Sequence, residues 1–172
     1  MINHIRKAEK RDVATILSII KDAQNYLKEQ GSPQWQNGFG PNRQAIEDDI
    51  DKREGYVMVV EGIVCGYAAL VEGIDNSYTK ITEGEWDNRY EKYISIHRVA
   101  LSPAIRGRGL SVQFLPKLIS AAQDNGHHDI RIDTHPQNII MKKTISRSGF
   151  IYRGIVHFPI PDGEREAYQL IV

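Results

Sequence analysis

The chain has 172 residues, enough for one sizeable hydrophobic core and short for two. Its 22 basic residues balance 22 acidic ones, so no global charge drives it toward nucleic acid or an anionic membrane, and any anion site must be local. A single cysteine, Cys65, excludes an internal disulfide framework, no apolar run approaches the roughly 20 residues of a membrane span, and residues 1–11 are charged where a secretory signal needs an apolar core. These features predict a cytoplasmic protein.

Residues 4–8 alternate weakly and predict a first strand. Asp12 then stands as a cap before Val13, Ile16, Leu17, Ile20, Ala23 and Leu27, which are spaced as one face of a helix ending near Gly31. Residues 32–42 place Pro33, Gly38, Gly40 and Pro41 around Trp35 and Phe39, a loop too aromatic to be merely solvated. A short acidic helix follows over 43–52. The β-branched runs 56–60 and 63–71 are separated by Glu61-Gly62, an antiparallel hairpin signal. Residues 72–92 are polar but contain Tyr78, Trp86 and Tyr90; they read as a long loop or an irregular strand extension.

Residues 93–101 predict a strand with Ser95, His97, Val99 and Leu101 on one face and Ile94, Ile96, Arg98 and Ala100 on the other. A helix over 108–124 comes next, closed by Asn125-Gly126 and loosened or kinked at Pro116. A strand at 130–134, a helix at 136–148, a strand at 150–158 and a last strand at 167–172 complete the chain. The order predicts a mixed α/β fold in a single domain, 1–172, whose central strand, turn, helix and strand form a parallel crossover.

The connection inside that crossover carries the first chemical signal. Arg106, Gly107, Arg108, Gly109, Leu110 and Ser111 join a strand to a helix start. Glycines there let the backbone approach a ligand, and the first N–H groups of the helix are available to it. Such a turn suits a phosphate or pyrophosphate. The alternative is an ordinary connection with two solvated arginines.

With these residues in view, the chain resembles the GNAT superfamily of acyl-CoA-dependent N-acetyltransferases over nearly all its length. The family's signature is Arg or Gln, two residues, Gly, one residue, then Gly or Ala; here it reads Arg106-x-x-Gly109-x-Ser111, with serine in the last place. Val99-Ala100-Leu101 before the turn, Asn138 near the next helix start, and Ser148-Gly149-Phe150 at its end match as well. The resemblance implies a mostly antiparallel mixed sheet with about four helices, in which the strands over 93–101 and 130–134 splay apart. It also implies acetyl-CoA as acyl donor. Its pantetheine arm would lie in the splay against main-chain groups of Val99, Ala100 and Leu101, its pyrophosphate on N–H groups of residues 106–111, and Asn138 on the opposite wall unless that residue only starts a helix. The Val99 N–H would stabilise the oxyanion.

Transfer to an amine requires the neutral amine. For a lysine-like nitrogen of pKa near 10.4, supplying it at pH 7 costs about 4 to 5 kcal/mol, roughly 3.4 pH units at 1.36 kcal/mol each. Some relatives use a glutamate base where Ser95 stands and a tyrosine acid where Ile145 stands, so neither role transfers. His97 is then the candidate base, with a structural histidine as the alternative, and Glu72 is a second candidate. Acceptor recognition falls to Trp35, Phe39, Tyr78, Trp86 and Tyr90, with His135 at the rim; Trp35 and Trp86 equally suit a core edge or a homodimer contact. Glu83, Glu85 and Asp87 would suit a cationic acceptor or are simply solvated. His127-His128-Asp129 and the Asp133, His135 pair lack the spacing of a metal site, and no metal is expected.

The combined reading is an N-acetyltransferase moving acetyl to a primary amine of a small molecule or peptide by direct attack in a ternary complex. Cys65 sits in an apolar strand, which argues against an acetyl-enzyme. A non-catalytic acyl-CoA-binding or sensing module is the alternative. RNA binding by Arg106 and Arg108 is disfavoured by the balanced charge.

Overall fold

The alternating apolar runs become seven strands: β1 (Asn3–Lys7), β2 (Gly55–Val60), β3 (Ile63–Glu72), β4 (Ile94–Leu101), β5 (Asp129–Thr134), β6 (Ile151–His157) and β7 (Glu164–Ile171). In the computed structural model, which describes residues 2–172, they form one sheet in the order β1-β2-β3-β4-β5-β7-β6. Every neighbouring pair is antiparallel except β4 and β5. Four helices cover the sheet: α1 (Val13–Glu29), α2 (Arg43–Asp51), α3 (Ser111–Asp124) and α4 (Ile139–Arg147). The parallel pair is connected through α3, as the crossover pattern predicts.

Two apolar layers result. Ile16, Ile20 and Ile46 of α1 and α2 pack on Val57 and Tyr67, while Phe114 and Leu118 of α3 and Ile145 of α4 pack on Met58, Ile96 and Ile132 from the other side. Full burial of a side chain such as Leu118 contributes about 1.5–3 kcal/mol. The β2–β3 hairpin turns at Glu61 and Gly62 with φ of 51° and 82°, the left-handed pair that a two-residue turn of this kind requires. No described helix is long and apolar enough to cross a membrane.

Asp12 precedes α1 but does not cap it with its side chain. A 3-10 turn over Lys10–Asp12 leads into the helix, and the Asp12 carboxylate accepts from the Glu9 N–H at 2.8 Å and from the Arg6 guanidinium at 2.8 and 3.0 Å. The segment between β3 and β4 is a packed strap. It makes a 3-10 turn at Asn76–Tyr78 and then crosses β6, where Thr82 and Ile155 exchange two backbone bonds of 2.8 Å. The crossing is so close that a Cβ on Gly154 would lie 2.4 Å from the Thr82 carbonyl oxygen. Tyr78 and Trp86 anchor the strap on Val156 and Ala167, with Trp86 Nε1 donating to the Tyr78 carbonyl at 2.8 Å.

The regular alternation expected along β4 breaks. Ala69 pairs with His97 and Tyr67 with Ala100, so Ala68 alone opposes Arg98 and Val99. This is a bulge, and Arg98 adopts φ 57° within it. The phase of the strand inverts across it: Ile94, Ile96, Val99 and Leu101 all join the α3/α4 layer, whereas Ala100 joins the α1/α2 layer. His97 and Val99 therefore lie on opposite faces, a correction to the shared face expected from sequence. Asp49 of α2 holds the bulge. It receives the Arg98 guanidinium at 2.8 and 2.6 Å and the Tyr67 hydroxyl at 2.5 Å, and burial pushes that hydroxyl's pKa far up, so it stays a donor.

Candidate active site

β4 and β5 pair only from Ile94 with Ile130 to Ile96 with Ile132. Beyond Ile96 the two strands separate, and a cavity of about 620 Å³ occupies the gap. Its walls include Ser111, Phe114, Asn138 and Met141 from the α3/α4 side, and Tyr26 and Trp35 from the α1 side. Residues from both layers share one cavity, so it passes through the sheet at the splay. The bulge leaves Arg98 and Val99 without partners in the β3 ladder, and the splay leaves them without partners in β5. Backbone groups at Val99 are thus freed from sheet pairing on both sides.

One end of the cavity is the Gly-rich turn. Arg106, Gly107 and Ser111 line it, and Gly107 and Gly109 take φ of 74° and 71°. The backbone N–H groups of Arg106 and Arg108 donate to the carbonyls of Pro103 and Ile105 at 3.1 and 3.3 Å, which shapes the turn, and the start of α3 adds its positive end. Leu110 is buried in the core beside α3, which anchors the turn and leaves only its main chain for a ligand. The Arg106 guanidinium lies 3.8 Å from the centre of the Tyr26 ring. Asn138 lines the cavity and caps α4: its Oδ1 accepts from the Met141 N–H at 3.2 Å and its Nδ2 donates to Gln34 at 3.2 Å. The helix-start role and the wall position coexist.

The other end holds the titratable groups. His97 and Asp133 both line the cavity. Asp75, on the strap, receives His97 Nε2 at 2.7 Å and the Ser77 N–H at 2.9 Å, while its own N–H donates to the Tyr93 hydroxyl at 2.7 Å. Burial pushes the Asp75 carboxyl up, but the His97 bond and charge and the Ser77 N–H outweigh this and hold it below the ordinary carboxylate value. An ionised Asp75 only accepts, so Nε2 carries the hydrogen and neutral His97 keeps its basic lone pair on Nδ1. That nitrogen is 3.8 Å from Asp133 Oδ2. Burial raises the Asp133 pKa against the opposing pull of His97 and the Tyr78 hydroxyl, which donates to it at 2.6 Å. Burial and the neighbouring Asp133 push Tyr78 itself well above its usual value.

Other residues singled out in the sequence fall in less direct places. Trp35 and Phe39 line the cavity. Tyr78 and Trp86 are buried residues of the strap: the Tyr78 hydroxyl donates to Asp133 and its ring lies 5.7 Å from that of His97, Trp86 packs on Tyr78, and neither lines the cavity. His135 is also buried. It accepts from the Gln137 N–H at Nδ1 and donates from Nε2 to Asp162 at 3.2 Å, tying the β6–β7 loop to the end of β5. Glu72 pairs with Ile94 at the far end of β4, and its exposed carboxylate meets His127 at 3.1 Å, so it does not reach the splay. Ser95 is fully buried where β4 still pairs with β5, and Ile145 is fully buried in the α3/α4 layer, where Met141 and Thr144 face the cavity instead.

Two residues at the site gave no usable signal. Asp75 is 22 positions from His97 in a polar loop, and Arg165 sits between two glutamates where it reads as solvated. Both are placed by the β-sheet and strap rather than by local pattern.

Comparison with known proteins agrees with this geometry. The model of the GNAT acetyltransferase family matches residues 20–150. A GNAT-family acetyltransferase structure from Streptococcus agalactiae is 37% identical, with a TM-score of 0.87 over 99% of this chain and 95% of that one. A second, from Listeria monocytogenes, is 25% identical with a TM-score of 0.76, again over 99% and 95%. The fold is shared at lower identity by yncA of Salmonella typhimurium, solved with acetyl-CoA: 20% identity, TM-score 0.69, 98% of this chain and 93% of that one. No curated protein matches. With a splayed parallel pair, a glycine turn at its mouth and a family match across most of its length, the chain belongs to the GNAT acetyltransferase family.

Proposed function

We propose that this acetyltransferase moves acetyl from acetyl-CoA to a primary amine by direct attack in a ternary complex, in the cytoplasm. The observation that carries the proposal is the cavity through the splay, which joins the Gly-rich turn on one side to His97 and Asp133 on the other. The residues fit the acyl donor. The turn's N–H groups and the start of α3 suit a pyrophosphate, and the main chain of Val99, Ala100 and Leu101, open on the β5 side, suits the amides of an extended arm, which adds to that strand edge as another strand would.

In this reading the acceptor enters from the α1 side as an ammonium, drawn by Asp133. His97 Nδ1 takes its proton, and the imidazolium that forms is stabilised by Asp75 across the 2.7 Å bond. The amine nitrogen then bonds to the acyl carbon while the Val99 N–H supports the oxygen, and the carbon–sulfur bond breaks with the electron pair leaving on sulfur. The nitrogen sheds its second proton as the amide forms, and that proton, passed directly or through solvent, neutralises the departing thiolate, while the proton held on His97 returns to solvent, so one proton is released per turnover. Cys65 faces the α3/α4 layer and donates toward the Met58 carbonyl, and burial pushes its thiol up, so no side-chain nucleophile is used.

Isothermal titration with acetyl-CoA, followed by thiol-release assays over a broad amine panel, tests the proposal. Binding at micromolar levels with amine-dependent CoA release supports it. Binding without release from any amine refutes the transfer and leaves a sensing module.

A further inference from the structure

Arg165 is a buried cation with no anion to hold. It is 6% exposed and lines the cavity. Nη1 donates to the carbonyls of Asp162 and Glu164, both at 2.8 Å, and the guanidinium lies 5.7 Å from the centre of the Phe158 ring. These contacts fix the fork and leave Nε and Nη2 without a hydrogen bond to the protein. Among the described residues no carboxylate oxygen comes within 4.0 Å of it. The loop that presents it is itself pinned, because His135 donates to the Asp162 side chain. Burial pushes the Arg165 pKa down, against the attraction of Asp133 and Asp162.

A desolvated guanidinium with free N–H groups is costly until something anionic arrives, and its planar fork suits a carboxylate. The position of the fork sets what that ligand must look like. Asp133 pairs with Ala167 across β5 and β7, and Arg165 is two residues along β7 on the same face, a diagonal neighbour at about 7–8 Å. The cation and the His97, Asp133 pair therefore address two ends of one small molecule.

We propose that Arg165 determines acceptor specificity, and that the acceptor is a small primary amine carrying a carboxylate a few bonds from its nitrogen, of the amino-acid type. This deepens the acetyl-transfer reading and rests on it. His97 and Asp133 handle the ammonium end; Arg165 Nε and Nη2 hold the carboxylate. A diamine or polyamine would present a second cation to Arg165 and is rejected.

The test compares amino acids with their amides and their decarboxylated amines, reading kcat/KM by thiol release in wild type, Arg165→Gln and Arg165→Lys, with coenzyme A titrated into each. Wild type favours the acids by tenfold or more. Arg165→Gln abolishes that preference through KM, with kcat within about threefold and coenzyme A affinity unchanged, and Arg165→Lys restores part of it. Equal or better turnover of amides or decarboxylated amines by wild type overturns the proposal while acetyl transfer stands. So does an Arg165→Gln enzyme that keeps the preference. Absence of amine-dependent release from every amine overturns both readings. The wild-type comparison decides the matter even if a variant fails to fold.

Discussion

Replacing His97 with Ala removes, among the described residues, the one cavity-lining imidazole and leaves Asp75 accepting from the Ser77 N–H. The expected loss follows from how the neutral amine is supplied. With His97 present, the enzyme takes the abundant ammonium and removes its proton inside the cavity. Without it, only amine already neutral in solution reacts. For an acceptor of pKa near 10.4 that fraction is about one in 2,500 at pH 7 and about one in 25 at pH 9. At pH 7 the variant should lose about 10²- to 10⁴-fold in kcat/KM, the usual range for a general base. Its rate should then rise about tenfold per pH unit below the acceptor's pKa, more steeply than wild type, so the deficit shrinks as the pH rises from about 7 to about 9. The assay is CoA thiol release at subsaturating amine across this range, with coenzyme A affinity and Tm measured on the same protein. Parallel profiles for the two enzymes, whatever their offset, would refute His97 as the proton acceptor, because a base cannot be removed without changing the pH dependence.

Further outcomes follow from neighbouring parts of the site. Asp75 is held below its ordinary value in the folded state, so its stabilising contribution is present above about pH 3.8 and is lost as pH falls through its lower folded value. Asp75→Asn should accordingly lower Tm by about 3 to 10 °C at pH 7 and by progressively less below pH 4, in thermal scans of both proteins. Asp49→Ala strands the Arg98 guanidinium and the Tyr67 hydroxyl and should cost about 3–5 kcal/mol in urea unfolding, with activity lost through the bulge. Gly109→Ala meets no neighbouring atom, but its φ of 71° should cost about 1–2 kcal/mol, or roughly 2 to 8 °C in Tm. The same variant should raise the Kd for coenzyme A tenfold or more by calorimetry, since the turn must hold its shape to present its N–H groups.

The elements were legible because each local pattern agreed with its layer. The apolar spacing from Val13 to Leu27 is that of a half-buried helix, and α1 is one; Glu61-Gly62 reads as a left-handed turn, and both residues adopt it. The Gly-rich turn was legible for the same reason, since its glycines are needed by the backbone itself. The strap was not. Its hold on the sheet comes from Trp86, Tyr78 and a bridge to β6 some 70 residues away in sequence, and no short-range pattern encodes a contact of that range. Asp75 arrives at His97 only because the strap is packed there.

The bulge at Arg98 shows where local pattern stops and chemistry begins. Period-two alternation put His97 beside Val99 and made one face serve as both base and oxyanion donor. Arginine has no preference for φ near 57°, so nothing in the pentapeptide from Ile96 to Ala100 announces the extra residue. It is fixed instead by Asp49, 49 residues earlier in the chain, whose carboxylate takes both arms of the Arg98 guanidinium. The inversion is what makes the arrangement workable: His97 faces the α1 side, where an amine can enter, while Val99 turns toward the α3/α4 side with its main chain released from the ladder. In an unbroken strand Val99 would take its place in the β3 ladder, and its main chain would not be released for an acyl group. Asp49 is therefore as necessary to the proposed chemistry as His97, although it touches neither substrate.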